Sequence, residues 1–370
     1  MQNNDIARFC NYLREKLPTW KDLTNDEIDF HLFSSITNKV YKVTAKKEGC
    51  EHSPLILRHF CGLEGIVDKE KEIKVFAEMS KTGFGPQCYA HDDDIRLEEF
   101  IPSRCIKPHE YKEKLMRRKL ARTMAAIHKL EVPNVDRTTL FELILEDKPY
   151  FQTYVDKCDK DIYSPEEKKL VEQVRDLVSQ EERDFIKEIL PREDVSFSHN
   201  DLLQGNVLMS DGKEDAIVID YEYASYNFRG YDIGNTFREA TFDYGYPETP
   251  YFKIVDENFP NDEELRDFMR YYIVFTDLKK EEGERIGEDL LTNDEAMKTL
   301  LEKNYNAEEL KKREDSLVRD TMIGVMMSAY YWAVWGLKMH KSVDVQFDYL
   351  TFVKALYDIY HSYKKNLFCK

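Results

Sequence analysis

No pair of cysteines in this chain stands in a CxxC arrangement. The seven that occur, Cys10, Cys50, Cys61, Cys88, Cys105, Cys158 and Cys369, are scattered and odd in number. This argues against a disulfide framework or a zinc ribbon and for a reducing compartment. The opening MQNNDIARFC has no apolar signal core, so the expected location is cytoplasmic. Basic residues are in the minority: 54 Lys and Arg against 71 Asp and Glu leave a net charge of −17. Such a surface repels phosphate backbones and anionic lipid, which sets the chain against nucleic acid and membrane surfaces. It suits a cationic substrate, although an acidic surface more often serves only solubility. No apolar run reaches the roughly 20 residues a membrane span needs. The uncharged stretch Thr321 to Leu337 holds Ser, Thr, Gly and two Tyr, and reads as a buried helix. There is no internal repeat and no low-complexity tract.

What is present is a folded chain of 370 residues, 42% hydrophobic and 13% aromatic, which is long for one core. The helical spacing Ile6, Phe9, Cys10, Leu13, Leu17 is closed by Pro18. Extended runs follow at Ile28 to Phe33, Lys39 to Ala45, Pro54 to Phe60, Gln87 to His91 and Ile95 to Phe100. Asp68 to Lys81 carries a helix face of Ile73, Phe76 and Met79. Beyond Ile101-Pro102-Ser103 long amphipathic helices are expected at Glu110 to Leu130, Pro165 to Ile189, Asp262 to Tyr272, Glu314 to Lys338 and Val345 to Tyr363. Two short strands, Asn206 to Met209 and Ala216 to Asp220, interrupt them. The expected architecture is α+β, with a small antiparallel-sheet lobe over 1–100 and a larger, mainly helical lobe over 101–370. The crevice between two such lobes is a natural ligand site.

The strongest chemical signal is Phe197-Ser198-His199-Asn200-Asp201-Leu202-Leu203-Gln204-Gly205-Asn206. An Asp followed five positions later by an Asn repeats the spacing of a kinase catalytic loop, where the Asp accepts the hydroxyl proton and the Asn binds metal. An apolar strand ending in Asp220, with Glu222 two residues on, falls where a second metal-binding carboxylate is needed. Tyr221-Glu222 replaces the Phe-Gly of protein kinases, so the chain is not one of those. Hard oxygen ligands suit Mg²⁺. Phe33-Ser34-Ser35-Ile36-Thr37-Asn38 stands between two strands and reads either as a phosphate cradle or as an ordinary turn; it has no glycine. Arg58 within Leu55-Ile56-Leu57-Arg58 is costly there unless paired. Glu72 on the following helix is the expected partner, and a solvent-facing Arg on an edge strand is the alternative. Trp332 and Trp335, at i and i+3, share one side of a helix, as core or as part of a cation-binding box.

With these blocks in view, the chain resembles the choline/ethanolamine kinase family, nearer its choline branch. Phe197 to Leu208 and Val218 to Glu239 (VIDYEYASYNFRGYDIGNTFRE) carry most of the resemblance. Gly85 to Tyr89, Arg96 to Arg104, Met124 to His128, Tyr331 to Trp335 and Phe347 to Tyr349 add to it. The resemblance implies a protein-kinase-like two-lobed fold and transfer of the ATP γ-phosphate to choline, giving phosphocholine and ADP for phospholipid synthesis. It implies Asp201 as base, Asn206 and Asp220 as Mg²⁺ ligands, and His199, Gln204 and Glu222 in support. ATP would be met by Ser34, Ser35, Ile36, Thr37, Asn38 and Arg58, with Glu72 behind, and by Glu98, Phe100 and Ile101 at the adenine. The amine would be met by Glu239, Tyr244, Tyr251, Trp332, Trp335, Phe347 and Phe352. Two departures stand out: the phosphate loop lacks the family's glycines, and Phe352 and Tyr251 exchange Tyr and Phe relative to common usage. The family also suggests a homodimer. Ethanolamine kinase or dual specificity remains the alternative, with an inactive binding scaffold as a remote third. Aminoglycoside phosphotransferases share the HxDxxxxN loop but are not expected to carry Tyr221 to Asp232 as written.

Overall fold

The computed structural model describes residues 3–33, 38–60, 69–133, 162–190, 194–210, 215–342 and 345–369, with Val135, Arg137, Phe141, Asp156, Cys158 and Asp159 between them. The chain forms two compact units. One comprises Met1–Arg104 with Ser210–Lys213 and Ile217–Glu222; the other comprises Cys105–Met209, Glu214–Ala216 and Tyr223–Lys370.

The first unit is built on a five-stranded antiparallel sheet in the order β1-β2-β3-β5-β4. Its strands are β1 (Ile28–Phe33), β2 (Lys39–Ala45), β3 (Leu55–His59), β4 (Cys88–His91) and β5 (Ile95–Glu99). The alternation in Tyr41-Lys42-Val43 puts Tyr41 and Val43 into the core. There they meet Phe9 and Leu13 of helix α1 (Asn3–Lys16), the Phe9 and Tyr41 rings lying 5.6 Å apart. Helix α2 (Lys69–Met79) buries Val75, Phe76 and Met79. The expected strand Ala216 to Asp220 shrinks to Ile217–Val218.

The second unit is mainly helical. The sequence pattern predicts one helix over Pro165 to Ile189, but the structure has two, Pro165–Gln173 and Gln180–Ile189, joined by a 3₁₀ turn. The break has a local cause. Ser179 caps the second helix by accepting from the Glu182 N–H at 3.1 Å. Ser179-x-x-Glu182 is therefore a helix-start signature hidden inside an apolar period. The expected Glu314 to Lys338 helix extends over Ala307–Met339, opened by Asn306, whose side chain accepts from Glu308 and Glu309 N–H. The expected Val345 to Tyr363 helix runs instead from Tyr349 to Phe368, because Asp348 caps it. Among the described residues no helix is long and apolar enough to cross a membrane.

Helix Arg229–Ala240 packs tightly on Ala307–Met339. A methyl group on Gly324 would run into the Gly230 carbonyl, and one on Gly234 into the Val325 backbone. Only hydrogen at these positions lets the two backbones approach this closely. Helices Lys280–Thr292 and Asp294–Asn304, which bury Leu290, Leu291 and Met297, were not among the expected elements.

Candidate active site

In the helical unit, strand Val195–Ser198 pairs antiparallel with Ser225–Phe228 and delivers the chain to His199. Asn200 then takes a left-handed backbone conformation (φ 67°). This costs free energy in any residue but glycine, though Asn tolerates it better than most. The surroundings fix it. Asp232 accepts from the His199 N–H at 3.0 Å and the Asn200 N–H at 2.8 Å. The Asn200 side chain donates to the Tyr223 carbonyl and Ser225 Oγ, and accepts from Asn227. Asp232 is fully buried and also meets His128 Nε2 at 3.1 Å. Burial works against its charge, but the bonds from His128 and the His199 backbone hold its carboxyl below the ordinary Asp value.

The turn at Asn200 presents Asp201. Asn206 Nδ2 donates to the Asp201 backbone oxygen at 2.8 Å and to Asp201 Oδ2 at 3.1 Å. Both donors of the amide are thus turned toward Asp201, and its carbonyl oxygen is the atom suited to a cation. His199 Nδ1 accepts from the Asp201 N–H at 3.3 Å. Gln204 Nε2 donates to the Glu239 carbonyl at 3.0 Å and also to that of Phe242. The loop is thereby tied to the helix end that carries Glu239.

In the sheet unit, Asp220 follows strand Ile217–Val218 with φ 68°. Its Oδ1 lies 3.6 Å from Arg58 Nη1. Glu222 sits half-buried two residues on. Arg58 is buried and charged, as expected, but its near partner is not Glu72. Arg58 Nε donates to Glu98 at 3.0 Å, whereas Glu72 pairs with Arg96 at 3.2 Å and Arg96 Nε donates to Glu98 at 2.9 Å. The reason is sheet register. Arg58 and Arg96 are directly opposed on β3 and β5, and Glu98 lies two residues along on the same face. Burial opposes the charge on Arg58, but Glu98, Asp220 and Glu72 raise its pKa above the ordinary Arg value. Burial likewise opposes the charge on Glu98, yet Arg96 and Arg58 hold its carboxyl below the usual range. Burial outweighs both arginines at Glu72, whose carboxyl is pushed up.

Glu98 thus commits a carboxylate oxygen to two guanidiniums within the sheet. Arg96, stacked 3.8 Å over the Phe76 ring, is the buried cation that reasoning from charge patterns missed. Its signal was the Arg-x-Glu alternation inside an apolar strand. Phe100 and Ile101 follow β5, and Lys42 Nζ stands 4.2 Å over the Phe100 ring. Asn38 opens the segment into β2; Ser34, Ser35, Ile36 and Thr37 lie outside the described residues.

The helical unit also holds the aromatic residues singled out in the sequence. Trp332 and Trp335 meet edge to face with centroids 5.3 Å apart. Phe347 lies 5.3 Å from Phe352 and 6.3 Å from Tyr244, whose hydroxyl donates to Glu239 Oε2 at 2.8 Å. Tyr223, Phe242, Phe252 and Tyr349 join them, none of which was predicted. Tyr251 makes no ring contact with the described aromatic residues. Its left-handed backbone (φ 66°) hands that place to Phe252, 5.7 Å from Phe347. Tyr244, Trp335 and Phe347 stay half-buried, and the Glu239 carboxylate is buried beside them. Ring faces beside a carboxylate suit an organic cation.

Among the described residues no group of three His, Cys, Asp or Glu side chains forms a self-sufficient metal cage. Asn206 in the helical unit and Asp220 in the sheet unit each carry a hard oxygen atom of the kind Mg²⁺ accepts. The Asp220 Oδ1 atom is buried, accepts no hydrogen bond from the described residues and faces Arg58 Nη1 at 3.6 Å.

A family model described as choline/ethanolamine kinase matches residues 31–361. A choline/ethanolamine kinase of Homo sapiens is 26% identical over 372 residues, covering 97% of this chain and 86% of that protein. Choline kinase A2 of Caenorhabditis elegans is 28% identical over 347 residues, covering 86% and 74%. The crystal structure of a choline kinase from Cryptosporidium parvum aligns with a TM-score of 0.73 at 22% identity, covering 98% of this chain and 96% of that one, and shares its fold.

Proposed function

Because the chain belongs to the choline/ethanolamine kinase family, whose model spans 31–361, we propose that this ATP-dependent small-molecule kinase phosphorylates choline. The observation that carries the reading is the Gln204 bond to the Glu239 carbonyl, which couples the Asp201–Asn206 loop to the ring cluster. A trimethylammonium has no N–H to donate, so ring faces and a nearby negative charge are the contacts open to it. With the cation in that cluster, the choline hydroxyl is directed at Asp201. The hydroxyl oxygen forms the bond to the γ-phosphorus, the bond to the ADP oxygen breaks, and the hydroxyl proton passes to the Asp201 carboxylate. Asn206 and Asp220 are the proposed Mg²⁺ ligands; the metal supplies charge neutralisation on the phosphates. Arg58 is proposed to face the phosphates, and the Phe100-Ile101 backbone the adenine. Supporting roles fall to His199 and Gln204, which brace the loop, and to Glu222.

Described cysteines such as Cys10, Cys50 and Cys88 are free, which supports a cytoplasmic setting. The family resemblance supports a homodimer.

Replacing Trp335 with Ala is expected to raise the choline KM about tenfold with little change in kcat, since one ring face contributes roughly 1–2 kcal/mol to cation binding. Steady-state kinetics at saturating MgATP checks this; an unchanged KM removes Trp335 from the amine site.

A further inference from the structure

The carboxylate beside the ring cluster already has partners. Glu239 Oε1 accepts from Arg238 Nη2 at 2.5 Å, and Oε2 accepts from the Tyr244 hydroxyl. Arg238 is buried, and it is held in place by Ser328 Oγ at 2.9 Å and Asn235 Oδ1 at 3.0 Å. The same Asn235 oxygen accepts from Trp332 Nε1 at 3.0 Å and from Ser328 Oγ at 2.7 Å. One network therefore seats the guanidinium on the carboxylate and orients an indole of the cluster.

We propose that Arg238 is a specificity-determining residue: by occupying the Glu239 carboxylate it favours a quaternary ammonium over a primary one. This rests on the amine site proposed above. A primary ammonium carries three N–H donors and is strongly hydrated, so entering the cluster costs free energy unless those donors find acceptors. A trimethylammonium carries no donor and loses nothing on that account. Ring faces serve both cations, and the positive charge of Arg238 acts on both alike. What separates the two is the number of acceptor positions left on Glu239. Arg238 takes one oxygen and Tyr244 the other, so an incoming N–H must share an oxygen already engaged.

The test is steady-state kinetics with MgATP on choline and ethanolamine for the wild type, Arg238→Met and Tyr244→Phe, with thermal melting to confirm folding. The wild type is expected to favour choline in kcat/KM. Arg238→Met is expected to raise ethanolamine relative to choline about tenfold, the discrimination one hydrogen bond to a charged group supplies. Arg238 is buried, and its loss leaves Glu239 without its counter-ion. Tyr244→Phe frees the other oxygen without altering buried charge and is expected to move the ratio the same way by a smaller factor. If Arg238→Met does not fold, Tyr244→Phe decides. An unchanged ratio in a folded variant overturns the inference while leaving the kinase assignment standing, as does a wild type that prefers ethanolamine. A wild type that phosphorylates neither amine overturns the amine-site reading and the inference together.

Discussion

Asp201→Ala is expected to lower kcat roughly a thousandfold, within the 10²–10⁴ range that a positioned general base supplies. The fold is expected to survive. The left-handed turn at Asn200 is held by Asp232, Tyr223, Ser225 and Asn227, none of which touches the Asp201 side chain through the bonds that define the turn. Asn206 keeps its bond to the Asp201 backbone oxygen, which Ala also provides. The variant should therefore bind MgATP and choline with affinities near wild type while turning over slowly. Paired kcat and melting measurements separate the two effects. Turnover within tenfold of wild type in a folded variant removes Asp201 from the base role.

Glu98→Ala is expected to be the most destabilising single change in the sheet unit, by about 3–5 kcal/mol, because two buried guanidiniums lose a shared carboxylate. Arg58 and Arg96 both donate to Glu98 Oε1, and Arg96 is fully buried. Among the described residues, Arg58 would keep its ion pair with Asp220 at 3.6 Å and Arg96 its pair with Glu72. The melting temperature should fall by roughly 10 °C or more. Because neighbouring guanidiniums hold the Glu98 carboxyl below its ordinary value, its contribution is complete at neutral pH and fades as acid protonates the folded protein. A shift under about 2 °C at neutral pH contradicts the account of this cluster.

Strand β2 was legible because its two faces differ in burial, which prints a period of two on the sequence, whereas β3 and β5 bury both faces. The observed β1 and β2 have the bounds that this period predicts. Helix ends were less legible, because a single capping residue such as Ser179 or Asp348 overrides a continuing apolar period. The Asp201–Asn206 pair was readable because its geometry is local, five residues long. The carboxylate that braces it was not: Asp232 stands more than thirty residues away, and only packing brings it to the His199 and Asn200 N–H groups. The Arg58 partner was misjudged for a similar reason, since strand register rather than sequence order decides which charges meet. Arg238 and Glu239 are adjacent on a helix, where neighbours do not ordinarily face each other. Their contact depends on a long guanidinium bent back by Asn235 and Ser328, which no spacing rule anticipates.

The most direct measurement of the central claim is ADP release from the purified protein supplied with ATP and choline, with and without Mg²⁺, with phosphocholine quantified alongside. The account predicts equal amounts of ADP and phosphocholine, turnover only when the divalent ion is present, and its loss on chelation. Absence of choline-dependent ADP release under saturating MgATP, or turnover that persists in excess chelator, contradicts it.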